Sequence, residues 1–305
     1  MTTLKQLKPV FSFIKCSTRP IMNNIKVNSN SMEFNDFESY VKLKDNFGIE
    51  SGLYHYKTIE LALKSNEDEN DYPLTEFKVP NKSSVMLSLD QLENCMLYAS
   101  KDETRLQLNS IAVHPTDSKL YAVDGHKLMS YDIKCKNIDD TKLMSRSSVA
   151  VLIKLLKKYK LKGLCKYTFD DDFFYLDNAS FTFKSRLIQR EYVKVSTIMS
   201  VRTEKEFTID NWIDFKIVKN ALNRHKAVKL ELKNGAVNLI EVTNNLQFVI
   251  GTCSKELDEV VGFNCEYLNK VMKGKKELTF KYNNELSPML FEYENQRGLL
   301  MPVRI

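Results

Sequence analysis

The stretch from Arg105 to Ile133, RLQLNSIAVHPTDSKLYAVDGHKLMSYDI, constrains the fold more than any other. Apolar runs at Leu108–Val113, Leu120–Val123 and Leu128–Ile133 have strand length, and each is bounded by residues that break strands. Pro115, Asp117 and Ser118 make the first turn, and Asp124-Gly125 makes the second, much sharper one. Asp-Gly between apolar runs favours a tight corner because glycine reaches φ > 0 without a Cβ clash. The prediction is a three-strand meander with His126 and Lys127 beside its corner.

The rest of the chain repeats a simple scheme. A helix is predicted over residues 4–15, with Leu4, Leu7, Phe11 and Ile14 on one stripe and Lys5, Lys8, Ser12 and Lys15 on the next. Pro9 moves its expected start to about Lys8, where proline is tolerated in a first turn. Strands at Ile25–Val27, Met32–Phe34 and Tyr40–Leu43, a short helix at Lys57–Lys64 and an acidic loop at Asn66–Asp71 follow. The second repeat opens with a strand at Val85–Leu87. Its helix places Leu89, Leu92, Met96 and Ala99 inward, with Asp90, Glu93 and Lys101 opposite. After the meander, SSVAVLIKLLKKYKLKG reads as a serine-capped helix with Leu152, Leu155, Leu156 and Tyr159 on one side. Aromatic strands at Tyr167–Phe169, Phe173–Leu176 and Phe181–Phe183 close that repeat. The third has a helix at Trp212–His225, about four strands and a last helix at Tyr267–Met272. The expected fold class is therefore α+β, three modules of antiparallel sheet packed on helices.

At 305 residues and 43% hydrophobic content the chain can bury substantial cores, and length alone suggests about two domains. Lys and Arg number 45 against 39 Asp and Glu, a net charge of +6, which excludes a highly charged nucleic-acid tail. The six cysteines, Cys16, Cys95, Cys135, Cys165, Cys253 and Cys265, show no C-x-x-C spacing, so reduced thiols in a cytosol are expected. Lys5, Lys8 and Lys15 interrupt any signal-peptide core, and no apolar run approaches the ~20 residues of a membrane span. A soluble cytoplasmic protein with no membrane partner is the expectation.

Four islands resemble the bacterial-type DNA sliding clamp, the DNA polymerase III beta subunit family. Arg105-Leu106-Gln107-Leu108-Asn109 followed by Val123-Asp124-Gly125-His126-Lys127-Leu128 is similar to the family's Arg-x-x-Leu-Asn strand and its Thr-Asp-Gly-His-Arg-Leu corner. VGFNCEYLNKVM (Val261–Met272), the closing SPMLFEYENQRGLLMPVRI, and STRPIMNNIKV with MEFNDFESYVKL near the start complete the match in order and spacing. The resemblance implies three tandem clamp-type domains at residues 1–82, 83–200 and 201–305, assembling into a ring as a homodimer. DYPLTEF resembles the segment ending the family's first domain but arrives early, so that domain is shortened, with strands missing from its second half. Such departures fit a divergent clamp, one from a bacteriophage included.

The implied function is a processivity factor that encircles duplex DNA and tethers a replicative polymerase, with an ATP-driven clamp loader to open the ring. No cofactor and no catalysis are implied. Exposed lysines are ordinarily just solvated surface. Here acids collect in loops and on strands while the helices share the cations, which favours a phosphate-facing surface. The candidate DNA contacts are Lys15, Arg19, Lys154, Lys157 and Lys158, then Lys216, Lys219, Arg224, Lys270 and Lys273. No aromatic platform interleaves with them, so contacts to backbone, insensitive to sequence, are expected.

The resemblance also implies a hydrophobic groove for short peptides of polymerases and other DNA-processing proteins. Its wall, carried over position by position, is Leu108, Val123, Gly125, His126, Lys127 and Leu128, with Val193 and Ile198. Asn264, Tyr267, Leu286 and Pro288 follow, and then Leu300, Met301, Pro302, Val303, Arg304 and Ile305. Leu, Met, Pro and Val suit apolar anchors, while His126 and Arg304 can hydrogen-bond an extended peptide. Val123 and Lys127 stand where the family has Thr and Arg, and Arg190 and Val193 where it has Gly and Pro.

Two other readings stay open. His126 beside Asp124, or the Asp170–Asp172 run, could serve a metal-dependent DNA-processing enzyme. Metal sites need several converging ligands, however, and the chain has four histidines and no P-loop, nucleophile or zinc motif. A clamp-like adaptor that does not close a ring is the other, prompted by the short first domain.

Overall fold

The computed structural model describes residues 4–11, 19–73, 76–211, 227–240 and 247–304. The chain divides into two compact units, Met1–Leu120 with Ile133–Tyr192, and Tyr121–Asp132 with Val193–Ile305. The first begins with α1 (Leu4–Phe11), β1 (Asn24–Val27), β2 (Met32–Asn35), β3 (Ser39–Leu43), β4 (Gly52–His55), β5 (Ser83–Ser88), α2 (Leu89–Tyr98) and β6 (Ser110–His114). The chain next forms β7 (Lys119–Val123), which straddles the boundary, and β8 (Lys127–Asp132) in the second unit. It then returns to the first for β9 (Cys135–Lys136), β10 (Lys142–Ser145), α3 (Arg146–Lys158), β11 (Leu164–Phe169), β12 (Phe173–Asp177) and β13 (Phe181–Arg186). The second unit continues with α4 (Val195–Met199), β14 (Lys205–Ile209), β15 (Ala227–Lys233), β16 (Ala236–Ile240), β17 (Gln247–Cys253) and β18 (Asp258–Asn264). Last come α5 (Cys265–Met272), β19 (Leu278–Tyr282), β20 (Met289–Tyr293) and β21 (Gln296–Leu300).

In the first unit the strands run in the order β4-β1-β2-β3-β13-β12-β11-β5-β9, and their pairings are antiparallel. Period-2 alternation sets the faces: on β3, Val41 and Leu43 are buried while Tyr40 and Lys42 are half-buried. Helix α3 packs between α1 and α2 and buries Val149, Leu152, Leu155 and Leu156. Its start is fixed by Ser145, whose hydroxyl accepts the Ser148 N–H at 3.1 Å. One turn in, the Ser148 hydroxyl meets those of Ser39 and Ser185 at 3.1 and 2.6 Å, which ties the helix to β3 and β13 and pairs these three buried hydroxyls with one another. Helix α2 carries a full capping box between Ser88 and Gln91.

Three expectations need correction. The helix expected at Lys57–Lys64 is only a 3₁₀ turn at Ile59–Leu61, ended by Ala62 at φ +53. It buries Ile59 alone, and a single apolar contact does not offset the cost of nucleating an α-helix. Pro9 lies inside α1 rather than in a first turn near Lys8. The first meander strand starts at Ser110 rather than Leu108, because Leu108 N–H donates to Arg105 in a preceding turn. The helix expected at Trp212–His225 lies outside the described residues.

In the second unit the order is β8-β21-β20-β19-β14-β17-β16-β15-β18, again antiparallel. Strand β15 shows why it folds this way: Val228, Leu230 and Leu232 face the core, and Lys229, Glu231 and Lys233 do not. Phe207 and Phe280 stack at 5.2 Å in that core, with Phe291 edge-on to Phe280. Helix α5 packs on β18 and β21, beside the β8 corner. No helix among the described residues is long and apolar enough to cross a membrane.

Candidate functional site

The corner between β7 and β8 is built by one carboxylate. Asp124 Oδ1 accepts the N–H groups of His126 and Lys127 at 2.9 and 3.0 Å, and Gly125 takes φ +97 between them. This closed turn points His126 outward and Lys127 inward. Lys127 is only 2% exposed, its ammonium pairs with Asp124, and it lies 4.8 Å from the centre of the Tyr267 ring. Burial lowers the Lys127 pKa, opposed by Asp124. The exposed His126 ring stacks on the same tyrosine at 5.8 Å and 27°. Burial, reinforced by Asp124 and Glu266, raises the Tyr267 phenol. Tyr267 is placed by Asn264, which caps α5 by accepting the Tyr267 N–H at 3.1 Å.

The closing segment lies against this corner. Strand β21 pairs with β8, Leu300 opposite Lys127 and Leu299 opposite Leu128. The chain then leaves the sheet, yet Met301 N–H still donates to His126 O at 2.8 Å and Val303 N–H to Gly262 O at 2.9 Å. Two backbone bonds thus hold Met301–Arg304 between the corner and β18. Val303 and Arg304 line a cavity of about 340 Å³ with Lys229, Val260, Gly262, Glu285 and Leu286. Leu286 is 51% exposed, held out by a turn in which its N–H donates to Asn284 Oδ1 at 3.0 Å. Lys229, Val260, Gly262 and Glu285 were not expected. The available signal was alternation on β15 and β18, which turns Lys229 and Val260 away from the core.

The structure brings Gly125, His126, Lys127, Asn264 and Tyr267 together on one side of the closing segment, and Leu286, Val303 and Arg304 on the cavity side. Val123, Leu128 and Leu300 are at most 4% exposed and form the floor beneath rather than an exposed wall. Val193, Pro288, Met301 and Pro302 are half-buried, and Ile198 on α4 is exposed. Leu108 is buried in the first unit. Ile305 lies outside the described residues.

Of the cationic candidates, Lys154 and Lys157 on α3 are exposed and Lys158 is half-buried. Lys157 pairs with Glu93 of α2, so part of this helix's charge is neutralised locally. On α5, Lys270 pairs with Glu266 at 2.6 Å and lies over Tyr267 at 5.7 Å, while Lys273 is exposed just past the helix. The Arg19 guanidinium stands 5.2 Å from the Phe37 ring centre. Lys15, Lys216, Lys219 and Arg224 lie outside the described residues. Of the Asp170–Asp172 run, Asp170 shapes the turn before β12: Oδ1 accepts the Asp172 and Phe173 N–H groups, and Oδ2 the Tyr175 hydroxyl.

No protein-family model matches the chain. The beta sliding clamp of Rickettsia bellii (strain RML369-C) is 26% identical over 254 residues, which cover 70% of this chain and 64% of that protein. The match therefore spans less than two thirds of that relative. The DNA polymerase sliding clamp of Caulobacter crescentus superposes with a TM-score of 0.79 at 17% identity, covering 99% of this chain and 97% of that one. The Bartonella birtlesii sliding clamp (DNA polymerase III subunit beta), solved bound to griselimycin, gives 0.80 at 18% over 100% and 98%. The Thermotoga maritima DNA polymerase III beta subunit gives 0.78 at 15% over 99% and 97%. The chain has the fold of the bacterial-type DNA polymerase sliding clamps, and its sequence is similar to one beta sliding clamp at 26% identity.

Proposed function

We propose that this chain is a DNA sliding clamp, a processivity factor that holds a replicative polymerase on duplex DNA. It acts by topology rather than catalysis: a tethered polymerase that releases its template rebinds at high effective concentration. Phosphate attraction can then stay weak, diffusive and indifferent to sequence, as backbone contacts by lysines and arginines are. In this reading three clamp modules per chain form a six-module ring as a homodimer in the cytoplasm. A clamp-loader ATPase opens the ring.

The observation that carries the reading is the arrangement of His126, Tyr267 and the closing segment in a chain with this fold. A short peptide lying along Met301–Arg304 meets an aromatic face at His126 and Tyr267 and an apolar recess at Leu286, Val260 and Val303. Aromatic anchors beside a preformed recess are where peptide affinity concentrates.

Light scattering over a concentration series, followed by DNA retention on circular and linearised plasmid, tests the proposal. A dimer retained only on circular DNA is expected, and equal retention on both forms would remove the topological mechanism. A second reading, an open clamp-like adaptor, is favoured by one feature: between His55 and Ser83 the described residues form two 3₁₀ turns and one isolated bridge, Tyr54 with Lys64, but no strand. A persistent monomer that still binds polymerase peptides would establish it.

A further inference from the structure

The first unit contains a cavity of about 640 Å³ beside the start of α3, lined on several sides by cations: Lys101, Arg146, Arg186 and Arg190. Its volume lies in the range of a site for a compact ligand, roughly 300–1,000 Å³. Arg146 is the deepest of the four. One of its terminal nitrogens donates to Met96 O at 3.4 Å, but its buried Nε has no hydrogen-bond partner in the protein. Buried donors are rarely left unpaired, and a guanidinium is built to bind a carboxylate or phosphate through two nitrogens at once. Arg186 stands 5.5 Å from the Phe173 ring centre, which holds its guanidinium in place without neutralising it.

The remaining lining limits what can enter. Leu106, Leu187 and Ile188 supply apolar surface, and Leu106 is 43% exposed although it is a large hydrophobic residue. Glu38 and Glu103 stand against the four cations, so the net field is positive but contains repulsive points that a uniformly charged polyanion would meet. No aromatic residue lines the cavity to stack a base. A B-form duplex, whose major groove alone is about 12 Å wide, is too large to enter. A carboxylate next to a branched apolar side chain satisfies all three features.

We propose that this cavity is a second peptide-docking site, separate from the closing segment, which takes a short acidic segment of a partner protein: carboxylates on the arginines, a Leu-like side chain on Leu106 and Ile188. Recognition of acidic motifs by arginine clusters is a recurrent mode of peptide binding. The proposal rests on the first unit alone and does not require the clamp reading.

Panning a random displayed-peptide library on the intact chain, then measuring the enriched peptides by fluorescence anisotropy, tests it. The expected result is a peptide family carrying two or more Asp or Glu next to Leu or Ile. Arg186→Glu with Arg190→Glu should weaken this family at least about tenfold, and deleting Met301–Ile305 should leave it unchanged. Because Arg186 packs on Phe173, Lys101→Glu with Arg190→Glu provides a second variant at two exposed positions, with the same loss expected. Absence of an acidic family, its retention in both double variants, or its loss on the terminal deletion would each overturn the proposal. So would a single-stranded oligonucleotide that binds in an arginine-dependent way and that no enriched acidic peptide displaces, because that makes the cavity a nucleic-acid site.

Discussion

The Lys127 ammonium, 2% exposed beneath Tyr267, is paired with the Asp124 carboxylate that also closes the turn around Gly125. One side chain therefore neutralises a buried cation and sets the corner that presents His126. Asp124→Ala removes both functions and is expected to lower the unfolding free energy by about 3 kcal/mol, as breaking a buried pair from one side does. Asp124→Asn keeps an oxygen for the two N–H groups, loses only the charge, and should cost less. Denaturant titration of the two variants separates the terms, and equal stability of Asp124→Ala and wild type would refute the role.

A second buried lysine gives a pH dependence of definite sign. Lys275 is 8% exposed, donates to Val271 O at 2.8 Å and lies 5.4 Å from the Tyr293 ring centre, and burial pushes its pKa down to about 8. The folded state therefore holds the neutral amine more readily than the unfolded chain, where the pKa is about 10.4. Its contribution is fully present above the unfolded value and is lost as pH falls towards 8. Lys275→Met should be more stable than wild type at pH 7, on the order of 2 kcal/mol after the lost hydrogen bond is counted. The advantage should shrink as pH rises from 8 to 10.5, which parallel thermal melts would show. A pH-independent difference between the two proteins would contradict the assignment.

What was legible in the sequence was what local chemistry decides. Asp124-Gly125 gave the corner, and period-2 alternation gave most strands to within a residue or two, because neither depends on distant partners. The serine cap read at Ser147–Ser148 lies slightly earlier, at Ser145, and Ser148 instead sits inside the first turn of α3. The misreadings arise where long-range contacts decide. Lys127 sits in a polar-looking corner, and only Tyr267, far along the chain, makes it a buried cation. Val123, Leu128 and Leu300 have the expected apolar character, but alternation gives the face of a strand and not the depth beneath what covers it. Nor does spacing along α3 show that α2 brings Glu93 to pair with Lys157. The exposed Leu61 and Leu63 show the converse: a helical spacing with nothing to pack against remains a 3₁₀ turn.

Deleting Met301–Ile305 should remove peptide binding at the second unit while leaving oligomerisation intact. The deletion takes away the bonds from Met301 to His126 and from Val303 to Gly262, and with them one wall of the recess beside Leu286. Strand β21 ends at Leu300, so its pairing with β8 is kept. Anisotropy with a labelled polymerase peptide should show at least a tenfold loss, about 1.4 kcal/mol. Unchanged affinity would sink the groove assignment.

If the helix cations contact DNA, their weight should follow their local pairing. Lys273 is exposed past the end of α5, whereas Lys270 is held by Glu266 and Tyr267. Lys273→Ala should reduce the slope of log affinity against log salt by about one, the signature of one lost phosphate contact, and Lys270→Ala by less. On α3 the same order is expected, with Lys158→Ala ahead of Lys157→Ala, because Lys157 must first leave Glu93. Slopes equal to that of wild type for all four variants would place these lysines away from DNA.

Gly251 offers a test of the second unit that needs no ligand. It faces Ile209 where β17 pairs with β14, and a Cβ built there would lie 1.8 Å from Thr208 O and 2.9 Å from Ile209 Cα. Both are backbone atoms, so no rotamer change relieves the clash: β14 itself must move, and it carries Phe207 of the aromatic core. Gly251→Ala should therefore destabilise the chain by about 3 kcal/mol, the upper end for overpacking. Gly163, with nothing within 4 Å of its would-be Cβ, is the matched control and should tolerate alanine with little change. Similar melting of the two alanine variants would mean that β14 and β17 are not in close register, and the strand order of this unit would have to be redrawn.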